Sequence, residues 1–189
     1  TRLIKEGTVI LGIDPGTNIL GFGILCIDAA LKPQYVDMGV LDLRKIASPY
    51  DKLEMISEKV GALCDLHHPQ CLAIESPFYG KNAQVIFKLG RAQGAAMVAA
   101  LSRGAEVFEY APREAKMAIC GNGAASKEQV CLMAQKTLGI QIDNKYLDAT
   151  DALALALCHF YRSTNPFTSG GSGKSSWAKF VAENPDRIK

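Results

Sequence analysis

The amino-acid sequence predicts an α/β fold in which helices cover both faces of a mixed five-stranded sheet. One observation is the order of the elements, since three strand-like segments come first and are followed by helix, strand, helix, strand and further helices. Another is the composition, because 48% apolar and 21% charged residues are typical of a globular chain and exclude a disordered, collagen-like or coiled-coil one. The length of 189 residues suits one compact domain.

The first predicted strand, residues 8–13, is an unbroken apolar run that ends at Asp14. Proline followed by glycine fits the two central positions of a type II turn, so Pro15 and Gly16 predict such a turn here. The sequence therefore predicts that Asp14 lies at the end of a buried strand.

Two further strands, residues 19–28 and 34–43, should complete an antiparallel meander. Gly21 and Gly23 lie within the first of these strands. Because glycine has no Cβ, we expect these two positions to let another part of the chain approach the sheet closely.

The rest of the chain alternates helices and strands whose ends carry capping residues, prolines or glycines. In order, we predict a helix from Ser48-Pro49 to His67-His68, a strand at 71–74 that delivers Glu75, a helix from about Ala83 to Ser102, a strand at 105–110, a short helix from Pro112 to the loop at 121–123, a helix with a capping box at Ser126 and Gln129, and a last helix from Asp148 to Arg162. This order of elements is ribonuclease H-like.

The composition changes near the C-terminus. We expect the folded domain to span residues 1–163, and residues 164–189 to form a flexible Gly/Ser linker and a short C-terminal tail. The linker contains GSGKS, which resembles part of a phosphate-binding loop, but Thr168 stands where that motif needs its first glycine. A linker is therefore the better interpretation.

The cellular compartment can be predicted from what the sequence lacks. It has no apolar run of about 18 residues, and residues 1–10 do not form a secretory leader. The six cysteines include no C-x-x-C pair and lie mostly in apolar runs, which predicts reduced core thiols and no zinc site. We therefore expect a cytoplasmic protein.

Four acidic residues stand where strands and a helix would bring them together: Asp14, Glu75, Asp148 and Asp151. The last two are three residues apart, so they share a helix face, although Asp148 alone would also serve as an N-cap. Four carboxylates at one edge repel each other unless cations bind, and their hard oxygen atoms suit Mg²⁺ or Mn²⁺. Two divalent ions per subunit would balance the four charges, and such a pair, about 4 Å apart, supports phosphodiester hydrolysis.

The charge balance suits a polyanionic substrate once these acids are set aside. The chain has 21 basic and 19 acidic residues, a net charge of +2, and without the four acids the balance is +6. Two groups of basic residues are candidates for nucleic-acid contact: Lys81, Lys88 and Arg91 along the second helix, and Arg113, Lys116 and Lys127 around the glycine loop. A solvated helix face remains an alternative for the first group.

Four stretches taken together resemble the RuvC family of Holliday-junction resolvases: LGIDPGT with GFGIL, AIESPFYGKNA with KLGRAQG, FEYAPREAKMAICGNGAASKEQV, and DATDALALALCH. They occur in the family's order within residues 8–162. LGIDPGT alone also resembles the phosphate loop of actin-like kinases, but that fold needs a second lobe of similar size, for which we see no room.

The resemblance implies a RuvC-like nuclease domain at residues 1–163 that acts as a homodimer and cuts two strands of four-way junction DNA symmetrically. It also implies a Mg²⁺ site in each subunit, in which Mn²⁺ can substitute, and the branch-migration proteins RuvA and RuvB as partners. The family's acidic positions fall on the four acids above, and its basic positions near the site fall on Lys116 and Lys127.

An aromatic residue of the family stacks on DNA at the strand-exchange point. Its position falls on Phe78, and Tyr79 could share this role. Further candidate DNA contacts are Lys81, Asn82, Lys88, Arg91 and Arg113.

Two alternatives stay open at this level. A related ribonuclease H-like nuclease could use the same acids on RNA or on other branched DNA. A non-catalytic junction-binding module would keep Phe78 and the basic residues but lose one or more acids. All four acids are present, which favours catalysis.

Overall fold

The computed structural model describes residues 4–76, 82–143 and 147–164. Within these ranges the strands and helices follow the predicted order. The strands are β1 (Val9–Asp14), β2 (Ile19–Ile27), β3 (Pro33–Asp42), β4 (Cys71–Glu75) and β5 (Glu106–Tyr110). The helices are α1 (Pro49–His67), α2 (Ala83–Leu101), α3 (Pro112–Cys120), α4 (Lys127–Leu138) and α5 (Leu147–Thr164).

The five strands form one mixed sheet in the order β3-β2-β1-β4-β5, as predicted. β2 is antiparallel to β1 and β3, whereas β4 is parallel to β1 and β5. Ile13 of β1 pairs in register with Ile74 of β4, so these parallel strands end at the same edge of the sheet. We call this the acidic edge, because Asp14 and Glu75 are the last residues of the two strands.

Helices cover both faces of the sheet. On one face, Leu11 of β1 belongs to a buried cluster with Val60 of α1 and Ala96 of α2. On the other face, Ile10 belongs to a second cluster that contains residues of α3, α4 and α5. Neighbouring residues of β1 thus face different helices, because successive side chains of a strand point to opposite faces.

α5 lies directly on β1 and β2 because glycines stand at the contact. An ideal Cβ on Gly12 would lie 1.9 Å from the carbonyl oxygen of Ala152, and one on Gly21 would lie 2.1 Å from the carbonyl oxygen of Asp148. Gly23 also faces α5 at short range. The predicted close approach at Gly21 and Gly23 is therefore confirmed, and α5 is the element that approaches.

The predicted type II turn at Pro15 and Gly16 is wrong. Such a turn needs a positive φ at its second central residue, and Gly16 is not among the residues with positive φ. Glycine is needed there for another reason, since an ideal Cβ would lie 1.9 Å from the carbonyl oxygen of Ile19. After Asp14, the chain therefore forms a loop in which the backbone at Gly16 packs against the backbone at Ile19.

Two helix starts have the predicted caps. Ser48 accepts a hydrogen bond from the backbone N–H of Asp51 at the start of α1. Ser126 and Gln129 form the predicted capping box of α4. This box fixes the entry to α4, whose first residue is Lys127.

All six cysteines are thiols, and four of them are buried, as expected for reduced core thiols. In the part of the chain that the structure describes, no helix combines the length and the apolar character that a membrane crossing requires.

Gly21→Ala should destabilise the fold, because the added Cβ would meet the backbone of α5. Overpacking of this kind costs about 1–3 kcal/mol, and we expect urea denaturation to show a loss at the upper end of that range. Gly39→Ala is the comparison variant, since its Cβ would meet the side-chain ring of Phe22 rather than the backbone of a helix and should cost less. Equal losses in the two variants would contradict the proposed role of the glycine contact.

Candidate active site

Three carboxylates converge at the acidic edge. Oxygen atoms of Asp14, Asp148 and Asp151 all lie within 4.8 Å of one another. Asp14 is the last residue of β1, and the other two lie near the start of α5. The glycine contacts bring α5 this close, since the carbonyl of Asp148 packs directly on Gly21. The position of α5 on the sheet therefore determines the geometry of the group.

Glu75 lies beside this group, at the end of β4. It lines the same cleft as Asp14 and Asp151, a cavity of about 230 Å³ that we call the acidic cleft and that also includes Lys116 and Lys127. Among the described residues, the three-carboxylate group does not include Glu75. The structure therefore brings three of the four predicted acids tightly together and places the fourth on the wall of the same cleft.

Asp148 does not cap α5. The helix begins at Leu147, so Asp148 is already a residue of its first turn. The alternative of an N-cap role for Asp148 is therefore wrong, and its carboxylate contributes to the acidic group instead.

Gln93 supports the end of β4, and the sequence analysis missed it. This buried residue of α2 donates hydrogen bonds from its side-chain amide to the carbonyl oxygen of Glu75 (3.2 Å) and to the carboxylate of Glu109 (2.9 Å). The two bonds tie α2 to the backbone that carries the Glu75 side chain. A signal was present in the sequence, because Gln93 shares an otherwise apolar helix face with Ala96 and Ala100.

Lys127 lies among the carboxylates. Its Nζ is 2.7 Å from Oδ2 of Asp151 and 3.0 Å from Oδ1 of Asp148. Partial burial lowers the pKa of Lys127, but the hydrogen bonds to Asp151 and Asp148 outweigh it and raise the pKa above its ordinary value. The lysine is therefore a permanent positive charge between two of the aspartates.

The acids are crowded more closely than their charges favour. Burial, together with the charges of Glu75, Asp151 and Asp148, raises the pKa of Asp14 to about 7, although Lys127 acts in the opposite direction. Burial and the charge of Asp151 also raise the pKa of Glu75. A bound cation would relieve this repulsion.

The donor set fits a hard divalent cation. The four acids offer only carboxylate oxygens, which are the ligands that Mg²⁺ and Mn²⁺ prefer. The position of the Lys127 ammonium shows independently that this place attracts positive charge. The two lysines of the acidic cleft balance only half of the charge of four ionised carboxylates. The net charge of the site is therefore negative and attracts cations.

Lys116 reaches the same cleft from α3. It lines the cleft with Asp14 and Glu75, and its charge lowers the pKa of Glu75 against the effects of burial and Asp151. Glu114 fixes this helix at its start by accepting a hydrogen bond from the backbone N–H of Ala111 and by pairing with Arg162 of α5. The α3 helix therefore carries Lys116 on a rigid support.

The other predicted DNA contacts are spread over several places. Arg113 is exposed on α3, where its side-chain stem lies close to Gly123. The side chain of Asn82 caps α2 by accepting hydrogen bonds from backbone N–H groups. Lys88 and Arg91 line a separate cleft between α1 and α2.

Three predicted residues, Phe78, Tyr79 and Lys81, lie outside the described residues.

His159 is a buried histidine of α5, and its position eight residues beyond Asp151 keeps it away from the acidic group. It is almost fully buried, and its Nδ1 lies 2.7 Å from the hydroxyl of Tyr110. Burial lowers the pKa of His159 to about 4, so the ring is neutral at physiological pH. It belongs to the packing of α5 on the sheet.

Comparison with known proteins gives one consistent family. The family model described as crossover junction endodeoxyribonuclease RuvC matches residues 10–159. A protein from Bacteroides fragilis with the same name is 49% identical over 188 residues, which cover 98% of this chain and 98% of that one.

Solved structures agree with this result and confirm the predicted ribonuclease H-like fold. The structure of Thermus thermophilus RuvC is 32% identical, with a TM-score of 0.73, and the match covers 82% of this chain and 95% of that one. The T. thermophilus RuvC in complex with a Holliday junction substrate is 29% identical, also with a TM-score of 0.73, and the match covers 82% and 94% of the two chains.

Asp14→Asn should stabilise the metal-free protein at pH 8. Because the folded-state pKa of Asp14 is about 7 and its ordinary value is 3.8, the wild-type protein loses stability as the pH rises from about 4 through 7. The pKa difference limits the gain to about 4 kcal/mol, and the gain should disappear below pH 4. Thermal unfolding in EDTA across this pH range measures it.

Asp42→Asn is the control, since Arg44 holds the pKa of Asp42 below its usual range and its removal should bring no gain. A difference between wild type and Asp14→Asn that does not change with pH would contradict the account. Added Mg²⁺ should reduce the difference at pH 8.

Proposed function

The chain belongs to the RuvC family of crossover junction endodeoxyribonucleases, and from this membership we propose that it resolves Holliday junctions by metal-dependent hydrolysis of phosphodiester bonds. The observation that carries the proposal is the convergence of Asp14, Asp148 and Asp151 beside a cleft that Asp14, Asp151 and Glu75 line. These are the acids that the family resemblance identifies. A module that only binds junctions would have no use for such a costly concentration of charge.

The proposed ions are Mg²⁺, with Mn²⁺ able to substitute, and two per subunit. Asp14, Glu75, Asp148 and Asp151 would hold them. When bound, such ions activate a water molecule and stabilise the departing 3′ oxygen.

Lys116 and Lys127 are the two basic side chains that line the acidic cleft. Lys127 already reaches Asp148 and Asp151, and Lys116 lines the same cleft, where its charge acts on Glu75. We propose that their ammonium groups donate hydrogen bonds to the non-bridging oxygens of the scissile phosphate. They would then hold the phosphate in place and stabilise the charge that develops during hydrolysis.

Selection of four-way junctions would come from residues around the acidic edge. We propose that Phe78 stacks on a base at the strand-exchange point, with Tyr79 as a second candidate. Lys81, Asn82 and Arg113 are proposed contacts to the neighbouring DNA. The T. thermophilus relative in complex with a Holliday junction substrate supports this class of substrate.

A homodimer would place two such sites on one junction, and α2 offers a face for it. Phe87, Val98 and Leu101 are 70%, 65% and 54% exposed, and their spacing puts them on one side of the helix. On the same side, a Cβ at Gly90 or Gly94 would meet nothing within 4 Å. We propose that two copies of this apolar face pair across a two-fold axis.

The prediction of partner proteins rests on the family resemblance, and the predictions of location and domain bounds rest on the composition of the sequence. RuvA and RuvB as partners, the cytoplasmic location and the extent of the nuclease domain at residues 1–163 stay predictions. The alternative of a nuclease for RNA or for other branched DNA is not favoured, because the relatives above are crossover junction endodeoxyribonucleases over nearly the full chain.

Asp148→Asn should bind a mobile four-way junction but fail to cut it. The amide keeps the shape of the side chain and loses the charge, so the rate of cutting in Mg²⁺ should fall by more than about 100-fold. Removal of a residue that only supports a metal ligand costs up to about 100-fold, and loss of a ligand should cost more. Glu6→Gln removes one exposed negative charge outside the cleft and should cut normally.

The substrate is tested in the same assay. Wild-type protein should make symmetric paired nicks in the junction, and it should leave a flap and an RNA duplex intact. Faster cutting of the flap or of the RNA would contradict the proposed function.

Val98→Glu should convert the proposed dimer into a monomer, because it would bury two unpaired charges at the interface. Sedimentation equilibrium measures the mass, and paired nicking of the junction should be lost with the dimer. Leu66→Glu is the control, since Leu66 is a similarly exposed apolar residue on α1 and should leave the mass unchanged. A Val98→Glu variant of unchanged mass would refute the α2 interface.

A further inference from the structure

A second cleft opens at the acidic edge, on the opposite face of the sheet from the acidic cleft. It lies between the first turns of α1, the second and third turns of α2 and the loop after β1, and its volume is about 250 Å³. We call it the α1–α2 cleft and define it by Thr17, Asn18, Lys52, Lys88 and Arg91.

The lining combines an apolar floor with a cationic rim. Leu43, Ile56 and Ala92 form part of the floor, and all three are buried. The rim carries three basic residues, Lys52, Lys88 and Arg91, and no Asp or Glu is among the residues that line the cleft. This combination suits a ligand with a flat apolar body and a negative charge.

The three cations are placed differently. Lys52 is anchored, because its Nζ donates hydrogen bonds to the carbonyl oxygen of Thr17 (2.9 Å) and to Oδ1 of Asn18 (3.3 Å). Lys88 and Arg91 are exposed and make no hydrogen bond or ion pair with any other residue that the structure describes. Two of the three charges are therefore available to an incoming anion.

The α1–α2 cleft is close to the acids. Thr17 follows Asp14 by three residues, so their Cα atoms are at most about 11 Å apart. On α2, Arg91 is two residues from Gln93, which bonds to the backbone of Glu75. A DNA strand that crosses the acidic edge can therefore reach both clefts.

We propose that the α1–α2 cleft binds one nucleotide of the substrate strand next to the phosphate that is cut. Lys88 and Arg91 contact its phosphate, and the apolar floor takes the sugar and base. The cleft volume of about 250 Å³ is too small for a duplex, so the proposed occupant is one sugar and base whose phosphate stays at the cationic rim. This inference rests on the proposed function, since it needs junction DNA as the substrate.

The first test removes charge. In an Asp148→Asn background, which prevents cutting, the double variant Lys88→Gln/Arg91→Gln should bind a four-way junction at least about tenfold more weakly at 0.15 M salt. The slope of log affinity against log salt should fall by about 0.9, which corresponds to one phosphate that is no longer neutralised. Lys5→Gln/Lys32→Gln removes the same charge at the opposite end of the sheet and should leave both values unchanged.

The second test blocks the cleft without changing its charge. Ala47 is exposed and lines the cleft, so Ala47→Trp should fill the space and weaken junction binding to a similar degree. Ala47→Cys gives a measurement that does not depend on how well the large side chain is tolerated. Bound junction should slow the alkylation of this cysteine at least about tenfold, as read by peptide mass spectrometry.

Loss of affinity on charge removal, together with protection of the introduced cysteine, supports the proposal. Loss of affinity without protection of the cysteine would overturn it, because the basic residues would then act only as an open charged surface. Unchanged affinity in the double variant would overturn it as well. If the wild-type protein neither binds nor cuts the junction, the proposed function itself fails, and this outcome is separate from the others.

Discussion

α5 can lie against β1 and β2 only because Gly12, Gly21 and Gly23 carry no side chains, and the candidate active site depends on this contact. The contact places the start of α5 at the end of β1, so the carboxylates of Asp148 and Asp151 lie close to that of Asp14. The parallel pairing of β1 with β4 adds Glu75 to the same cleft. The close packing of backbone on backbone at these glycines therefore sets the distances between the carboxylates.

This arrangement costs stability in the absence of a cation. The raised pKa of Asp14 reports that cost, because the folded state binds a proton that the unfolded chain releases at much lower pH. Lys127 offsets part of the repulsion with two short ion pairs. Carboxylates that are held this close despite their mutual repulsion are typical of a trade between stability and activity.

Much of this could be predicted from the sequence, because it depends on local patterns. Apolar runs, capping residues and glycines give the order of the elements and the place of each acid in it. The place of Gln93 on an apolar helix face is visible in the sequence. Its hydrogen-bond partners and the α1–α2 cleft could not be predicted in the same way, because they arise from contacts between segments far apart in the chain. Gly16 shows most clearly what local patterns cannot predict. The Pro15-Gly16 pair fits a type II turn, but the glycine is needed for a close contact with the backbone of Ile19.

The central claim is that the acids at the end of β1 and the start of α5 form a site for divalent cations. Anomalous X-ray scattering from crystals soaked in Mn²⁺ tests it most directly. The account predicts a peak within about 2.2 Å of oxygen atoms from Asp14, Asp148 and Asp151, with Lys127 displaced from at least one aspartate. Crystals with no peak between these carboxylates at saturating Mn²⁺, and with both Lys127 ion pairs intact, would contradict it.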